Sequence, residues 1–169
     1  INGCDEGIFV KFDFDKDFPA APDGTKASED FFAPMPSECA VGNILYSWNY
    51  AFDTRAFDGK EPKTIKDFFN TKKFPGKRAI YKSALTNLEI ALAADGVNMG
   101  KGGEFLYKKL EEEGGVDRAM NKIKELCTDP NGGCVFWSAG AQPPELLVAG
   151  EVVMATGWNG RFFNAEVGE

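Results

Sequence analysis

The stretch Cys134–Phe163, CVFWSAGAQPPELLVAGEVVMATGWNGRFF, decides the fold. Cys134–Trp137 is a short apolar run of the kind that forms a strand buried on both faces. Ser138-Ala139-Gly140-Ala141 is a run of small residues that lets a chain turn sharply. Pro143 and Pro144 suit the first turn of a helix, where their missing N–H groups cost little. That helix runs to about Ala149, and Gly150 supplies the left-handed stop. Val152–Thr156 predicts the next strand, with Gly157–Arg161 turning at its end.

In a parallel sheet both turns leave the C-terminal ends of strands. Ligands of open α/β sheets sit in the crevice outside those ends. Trp137, Ser138, Gln142, Trp158, Asn159 and Arg161 are therefore predicted to converge on one edge. Tryptophan offers an apolar face and one N–H. Asn, Gln and Ser offer orientable hydrogen bonds, and Arg offers a fork that matches a carboxylate. This is an inventory for a small polar molecule. A second reading of the same residues puts both tryptophans in the core and Arg161 in solvent.

The rest of the chain repeats the strand-helix pattern, which predicts α/β with a mostly parallel sheet and flanking helices. Lys77–Tyr81 reads as a strand, with Lys82 and Ser83 at its C-terminal end. Thr86-Asn87-Leu88-Glu89 has the spacing of a capping box, opening a helix that buries Leu88, Ala91 and Leu92 and stops near Gly96. Thr64–Asp67 is another, with Phe68 and Phe69 turned inward. Glu104–Glu113 reads as a helix. Val116–Cys127 is a further one, whose apolar face is Val116, Met120, Ile123 and Cys127. Arg161–Ala165 begins the last.

Before these, Ile1–Gly7 reads as the tail of a helix. Ile8–Phe18 alternates apolar and charged residues, as in an edge strand or an extended arm. Pro19–Pro36 reads as a long surface loop. Ala40–Phe52, AVGNILYSWNYAF, is too long for one ordinary strand. It fits a strand that leaves one body and continues into another, with the crossover near Ser47–Ala51 and Trp48 beside it. A bent core strand is the other reading.

Composition narrows the function. Net charge is −7, which disfavours nucleic acid and anionic membrane as partners. No apolar run approaches the roughly 20 residues that span a bilayer. The chain has no histidine, so no Ser-His or Cys-His pair exists. No Walker loop, G-x-S-x-G or G-x-G-x-x-G occurs either, and no cofactor is implied. Cys4, Cys39, Cys127 and Cys134 show no C-x-x-C spacing and have no histidine to join them at zinc. Two disulfides, Cys127–Cys134 across TDPNGG and Cys4–Cys39, fit an oxidising compartment. Four free buried thiols are the alternative.

The terminal stretch also resembles a known family. WSAGAQPPELLVAGEVVMATGWNGRFF, with its tryptophan, SGAQ-like turn, GEV core and WNGR, is similar to the second-lobe signature of family 1 extracellular solute-binding proteins. These are periplasmic receptors of ABC importers, here in the polyamine and opine branch. CDEGIFVKFDF, SECAVGNILYSW and TIKDFFNTKKFPGKRAIYK resemble their family counterparts in the same order. The resemblance implies a type II periplasmic-binding-protein fold and a monomeric, non-enzymatic receptor. Its partners would be a small solute and a membrane permease. Residues 1–46 would be the end of a first-lobe segment with the crossover strand, and 47–169 the second lobe. The leader and the remaining lobe segments would lie outside the chain. An α/β enzyme domain acting on a small metabolite is the alternative function.

The resemblance also bears on the ligand. The polyamine branch places acidic side chains after its KRAIY-like strand, where this chain has Lys82, Ser83 and Thr86. An anionic or zwitterionic solute, such as an amino acid derivative or an opine-like conjugate, is therefore expected over a polyamine. Trp158 would be its apolar wall, Arg161 its main carboxylate contact and Ser83 a hydrogen-bond partner. Trp137 and Asn159 would lie nearby.

Overall fold

The computed structural model describes residues 2–32, 35 and 37–168. Ile1, Ala33, Pro34 and Pro36, which the predicted first helix and long loop include, lie outside the described residues. The chain divides into two compact units, Ile1–Leu45 and Tyr46–Glu169.

The first unit contains two single helical turns, α1 (Asn2–Asp5) and α2 (Phe14–Asp17). Cys4 and Cys39 are joined by a disulfide, as expected. The alternating stretch Ile8–Phe18 forms no strand; its second half turns into α2. Phe14 and Phe18 explain why: four residues apart on a helical turn, their rings stack at 5.5 Å. Phe12 and Phe31 meet them edge to face at 5.2 and 5.5 Å. The Asp17 carboxylate accepts the Asp13 N–H at 2.8 Å, which closes the turn.

The second unit is built on one sheet. Its elements are β1 (Trp48–Phe52), α3 (Ile65–Phe69), β2 (Arg78–Tyr81), α4 (Asn87–Ala94), α5 (Gly103–Glu111), α6 (Gly115–Thr128), β3 (Cys134–Trp137), α7 (Gln142–Val148), β4 (Met154–Trp158) and α8 (Asn159–Val167). The spatial order is β1-β4-β2-β3. β2 runs parallel to β3 and β4, and β1 runs antiparallel to β4. The C-terminal ends of β2, β3 and β4 therefore share an edge with the start of β1. Gly157 and Trp158, predicted to turn, complete β4, and Asn159 already begins α8. The long strand predicted from Ala40 is paired only from Trp48 onward, and Ile44 and Leu45 before it are exposed.

Both faces of the sheet are packed, which is why β2 and β4 read as near-continuous apolar runs. Ile80 and Met154 meet Phe57, Phe68, Phe74 and Leu126 on one face. Ala79, Ala155, Trp137, Leu147 and Val152 pack on the other. The Thr64–Asp67 capping box forms, with Thr64 Oγ1 accepting the Asp67 N–H at 3.3 Å and the Asp67 carboxylate accepting the Thr64 N–H at 3.1 Å.

α6 corrects the sequence reading in part: Ile123 and Cys127 pack against the core as expected. Val116 and Met120 are about half exposed, while Gly115, Ala119 and Leu126 are buried. The helix approaches its neighbours through small residues: a Cβ on Gly115 would overlap the carbonyl oxygen of Lys109. Its C-terminus is tied to β3 by the expected Cys127–Cys134 disulfide. Closing so short a loop restricts the unfolded chain enough to stabilise by about 2.5 kcal/mol. Selective reduction, or Cys127→Ala with Cys134→Ala, is expected to lower the denaturant midpoint correspondingly. Thiol titration of the denatured, unreduced protein should find no free thiol among the four. Four titrating thiols would contradict both bridges.

Candidate functional site

Four aromatic rings occupy the edge where the three parallel strands end. Trp48 stacks on Trp137 at 5.6 Å with 17° between the planes. Trp158 meets both edge to face, each at 5.6 Å. Tyr81 lies 4.6 Å from Trp137. By strand alternation Trp48 and Trp158 belong to one face of the sheet, and Tyr81 and Trp137 to the other. All four curl over the strand ends and close the sandwich there. Tyr46 adds a fifth ring against Trp158 at 6.4 Å.

Burial divides the tryptophans. Trp137 is 1% exposed and belongs to the core, whereas Trp48 and Trp158 are half-buried. The indole N–H groups of Trp48 and Trp137 are buried without a protein partner. Trp158 sits against the β3–α7 turn. A Cβ on Gly140 would overlap its six-membered ring and lie 3.4 Å from Arg161 Nε. Glycine at 140 lets the indole lie on the backbone, and it brings Arg161 to the same wall. The guanidinium is otherwise exposed, at one end of a groove of about 490 Å³ between α7 and α8 that also touches Pro144, Glu145 and Val148. Arg161 forms no ion pair with Glu166 among the described residues.

The polar candidates are placed differently from one another. Gln142 is committed within its own turn: Oε1 accepts the N–H groups of Ser138 and Ala139 at 2.8 and 2.9 Å. This closes the SAGA loop. Asn159 is likewise engaged, with Oδ1 accepting the Ser47 N–H at 2.9 Å. Ser83 Oγ accepts the Leu85 N–H at 3.2 Å. Lys82 and Ser138 are exposed, and the Lys82 N–H continues the β2–β3 ladder to the Trp137 carbonyl at 2.8 Å. The loops Lys82–Thr86, Ser138–Ala141 and Asn159–Arg161 carry two cations, Lys82 and Arg161, and no carboxylate.

The predicted cap at Thr86 is overturned. Thr86 has φ +71° and its side chain caps nothing. This is a costly conformation for a β-branched residue. Asn87 holds the turn instead, its Nδ2 donating to the carbonyls of Tyr81 at 2.5 Å and Ser83 at 2.7 Å. The Asn87 side chain is buried and its Oδ1 has no protein partner.

A family model described as bacterial extracellular solute-binding protein matches residues 2–168. The chain belongs to that family. A γ-aminobutyric acid-binding protein of Pseudomonas aeruginosa is 40% identical over 166 residues, which are 98% of this chain and 42% of that relative. The solute-binding protein MotA from A. tumefaciens B6, solved in complex with glucopine, superposes with a TM-score of 0.64. It is 35% identical, and the match covers 73% of this chain and 36% of MotA. The spermidine/putrescine-binding protein PotD from Streptococcus pneumoniae has a TM-score of 0.64 over 97% of this chain and 46% of its own. At 10% identity it shows the fold alone. The fold is that of type II periplasmic binding proteins, and the chain spans less than half the length of these solute-binding relatives.

The edge also includes Tyr81, Gly140 and Asn87, which the sequence does not single out as site residues. Tyr81 had a signal, since it is the last residue of a strand whose end was expected to face the crevice. Gly140 was read as a turn residue only. Its closeness to Trp158 is a long-range contact that spacing along the chain does not carry.

Proposed function

We propose that this chain supplies the solute-facing wall of the substrate-binding component of an ABC importer. Residues 47–169 form a second lobe and 1–46 the end of a first-lobe segment with the crossover. The solute is small and carries a carboxylate, with an amine at its other end. γ-Aminobutyrate and opine-like conjugates have this chemistry, and the relatives' names support it. The single observation that carries the reading is the half-buried Trp158 ring beside Arg161, on strand-end loops with two cations and no acid. The apolar stem of the solute lies on Trp158 and Trp48. Its carboxylate meets Arg161, with Ser83 and Lys82 adding polar contacts and Ser138 lining the opening. Trp137 backs the wall from behind. The three strand-end loops offer a dicationic polyamine two cations and no carboxylate, and an unpartnered buried ammonium is costly. The receptor works with a membrane permease and resides in the periplasm, where two disulfides persist.

Calorimetry on the intact protein tests this. γ-Aminobutyrate should bind, and Arg161→Ala should weaken it by on the order of 2 kcal/mol, the scale of a charge-assisted hydrogen bond. Arg161→Lys should recover part of that, because it keeps the charge and loses the fork. Tighter binding of spermidine than of any carboxylate-bearing solute, or wild-type affinity in both variants, would overturn the assignment.

A further inference from the structure

The β1–β4 ladder ends at the pair Trp48 and Trp158. One step further, Ser47 stands opposite Asn159, but there β4 has become α8. The Asn159 N–H still donates to the Ser47 carbonyl at 3.0 Å. The carbonyl of Asn159 now heads a helix, so the acceptor that a continuing strand would offer to the Ser47 N–H has turned away. The side chain replaces it: Asn159 Oδ1 accepts from Ser47 N at 2.9 Å. We infer that Asn159 is a positioning residue, a backbone mimic that holds Ser47 in register and thereby seats Trp48 on the aromatic edge, and that it does not contact the solute.

The chemistry explains the residue type. The acceptor must reach back from the first position of a helix to a strand one residue beyond the ladder's end. A side-chain carbonyl one methylene from the backbone does this, and Ala has none. Both flanks of the clamp are ligand-edge tryptophans, Trp48 after Ser47 and Trp158 before Asn159, whose rings touch at 5.6 Å. Ser47 and Asn159 are both exposed, so the pair adds little to global stability. What it controls is local: where the entering chain lies, and so where the Trp48 ring sits.

Three variants of the intact protein separate the roles. Asn159→Asp keeps the oxygen acceptor and removes the amide donor; Asn159→Ala removes both; Asn159→Gln keeps both at the wrong reach. Amide exchange at Ser47 and near-ultraviolet circular dichroism of the coupled tryptophans are read without any solute. Ser47 exchange should rise about tenfold or more in Asn159→Ala and Asn159→Gln, with a changed tryptophan band, and stay within about threefold of wild type in Asn159→Asp. Such tenfold steps correspond to about 1.4 kcal/mol of local opening. Unchanged Ser47 exchange in Asn159→Ala, or Asn159→Asp as disruptive as Asn159→Ala, overturns the inference. A γ-aminobutyrate titration, which rests on the proposed function, adds a second arm: Asn159→Asp should weaken binding only through its added charge, so its deficit against wild type at the same ionic strength should shrink to within about threefold as salt rises. A loss of binding in Asn159→Asp that salt does not relieve, with Ser47 still protected, would make the amide a solute contact and also overturn the inference. If wild type binds no carboxylate-bearing solute, the proposed function fails, while the exchange result still decides the role of Asn159.

Discussion

Arg78→Ala is expected to cost the fold about 3–4 kcal/mol, because it breaks a buried hydrogen-bond network and opens a cavity. Arg78 is fully buried at the start of β2, at the sheet end opposite the aromatic edge. Its fork spans three backbone carbonyls. Nε donates to the Phe68 carbonyl at 2.9 Å, one terminal nitrogen to Phe74 at 2.5 Å, and the other to Gly76. These are the end of α3 and the turn that leads into β2, so one side chain satisfies a loop that buries Phe68 and Phe74. Alanine leaves the three carbonyls without donors, and unmade buried hydrogen bonds cost more than made ones contribute. Arg78→Lys keeps a charge but cannot serve three separated acceptors in one plane, so it should recover less than half of the loss.

Burial pushes the Arg78 guanidinium down to about 10, against the pull of Asp129, and it stays charged at neutral pH. Its folded value lies below the unfolded one, so the burial penalty is present in full below the folded value and eases only as pH rises through it. From about pH 5 to 9 the group holds its proton in both states, and the mutational loss should not vary with pH. Urea midpoints at several values of pH in that window check this. A loss under about 1 kcal/mol would mean that water replaces the fork at little cost.

Arg78 also shows where sequence reading stops. KRAIY reads as a strand, and it is one. A charge at its second position reads as solvent-facing, since nothing local says that three carbonyls from a neighbouring loop are waiting. The same limit explains α6. Val116, Met120, Ile123 and Cys127 have helical spacing and make the apolar stripe on paper. Ile123 and Cys127 do pack against the core, but Val116 and Met120 lie half exposed and Gly115, Ala119 and Leu126 are the fully buried positions, because Gly115 and Ala119 permit close helix approach without adding hydrophobicity. By contrast, the strand-helix-strand run from Cys134 is legible apart from its last strand, which lies two residues later, at Met154–Trp158, since buried parallel strands, a proline-led helix and a glycine stop are local signals. The edge itself was legible as a place. Its internal wiring was not: the engagement of Gln142 with its own turn and of Asn159 with Ser47 depends on contacts that spacing cannot rank.

The tryptophans should part company under mutation, and that separates scaffold from surface at the proposed site. Trp137→Ala is expected to cost about 3–5 kcal/mol of stability, the range for removing a large aromatic from a core. Trp137 is 1% exposed, shares a core cluster with Ala79, Leu147 and Ala155, and carries both Trp48 and Tyr81 on its ring. Trp158→Ala removes a half-buried ring whose outer part is not packed, so its stability cost should be clearly smaller. Its larger effect should fall on solute affinity, by about 1–3 kcal/mol, as an apolar wall is lost. Trp158→Phe should restore most of that affinity, since a smaller ring still lies on Gly140. Thermal unfolding and calorimetry on the same three variants decide it. If Trp158→Ala destabilises as much as Trp137→Ala and leaves affinity unchanged in the folded fraction, Trp158 is part of the core and the solute wall lies elsewhere.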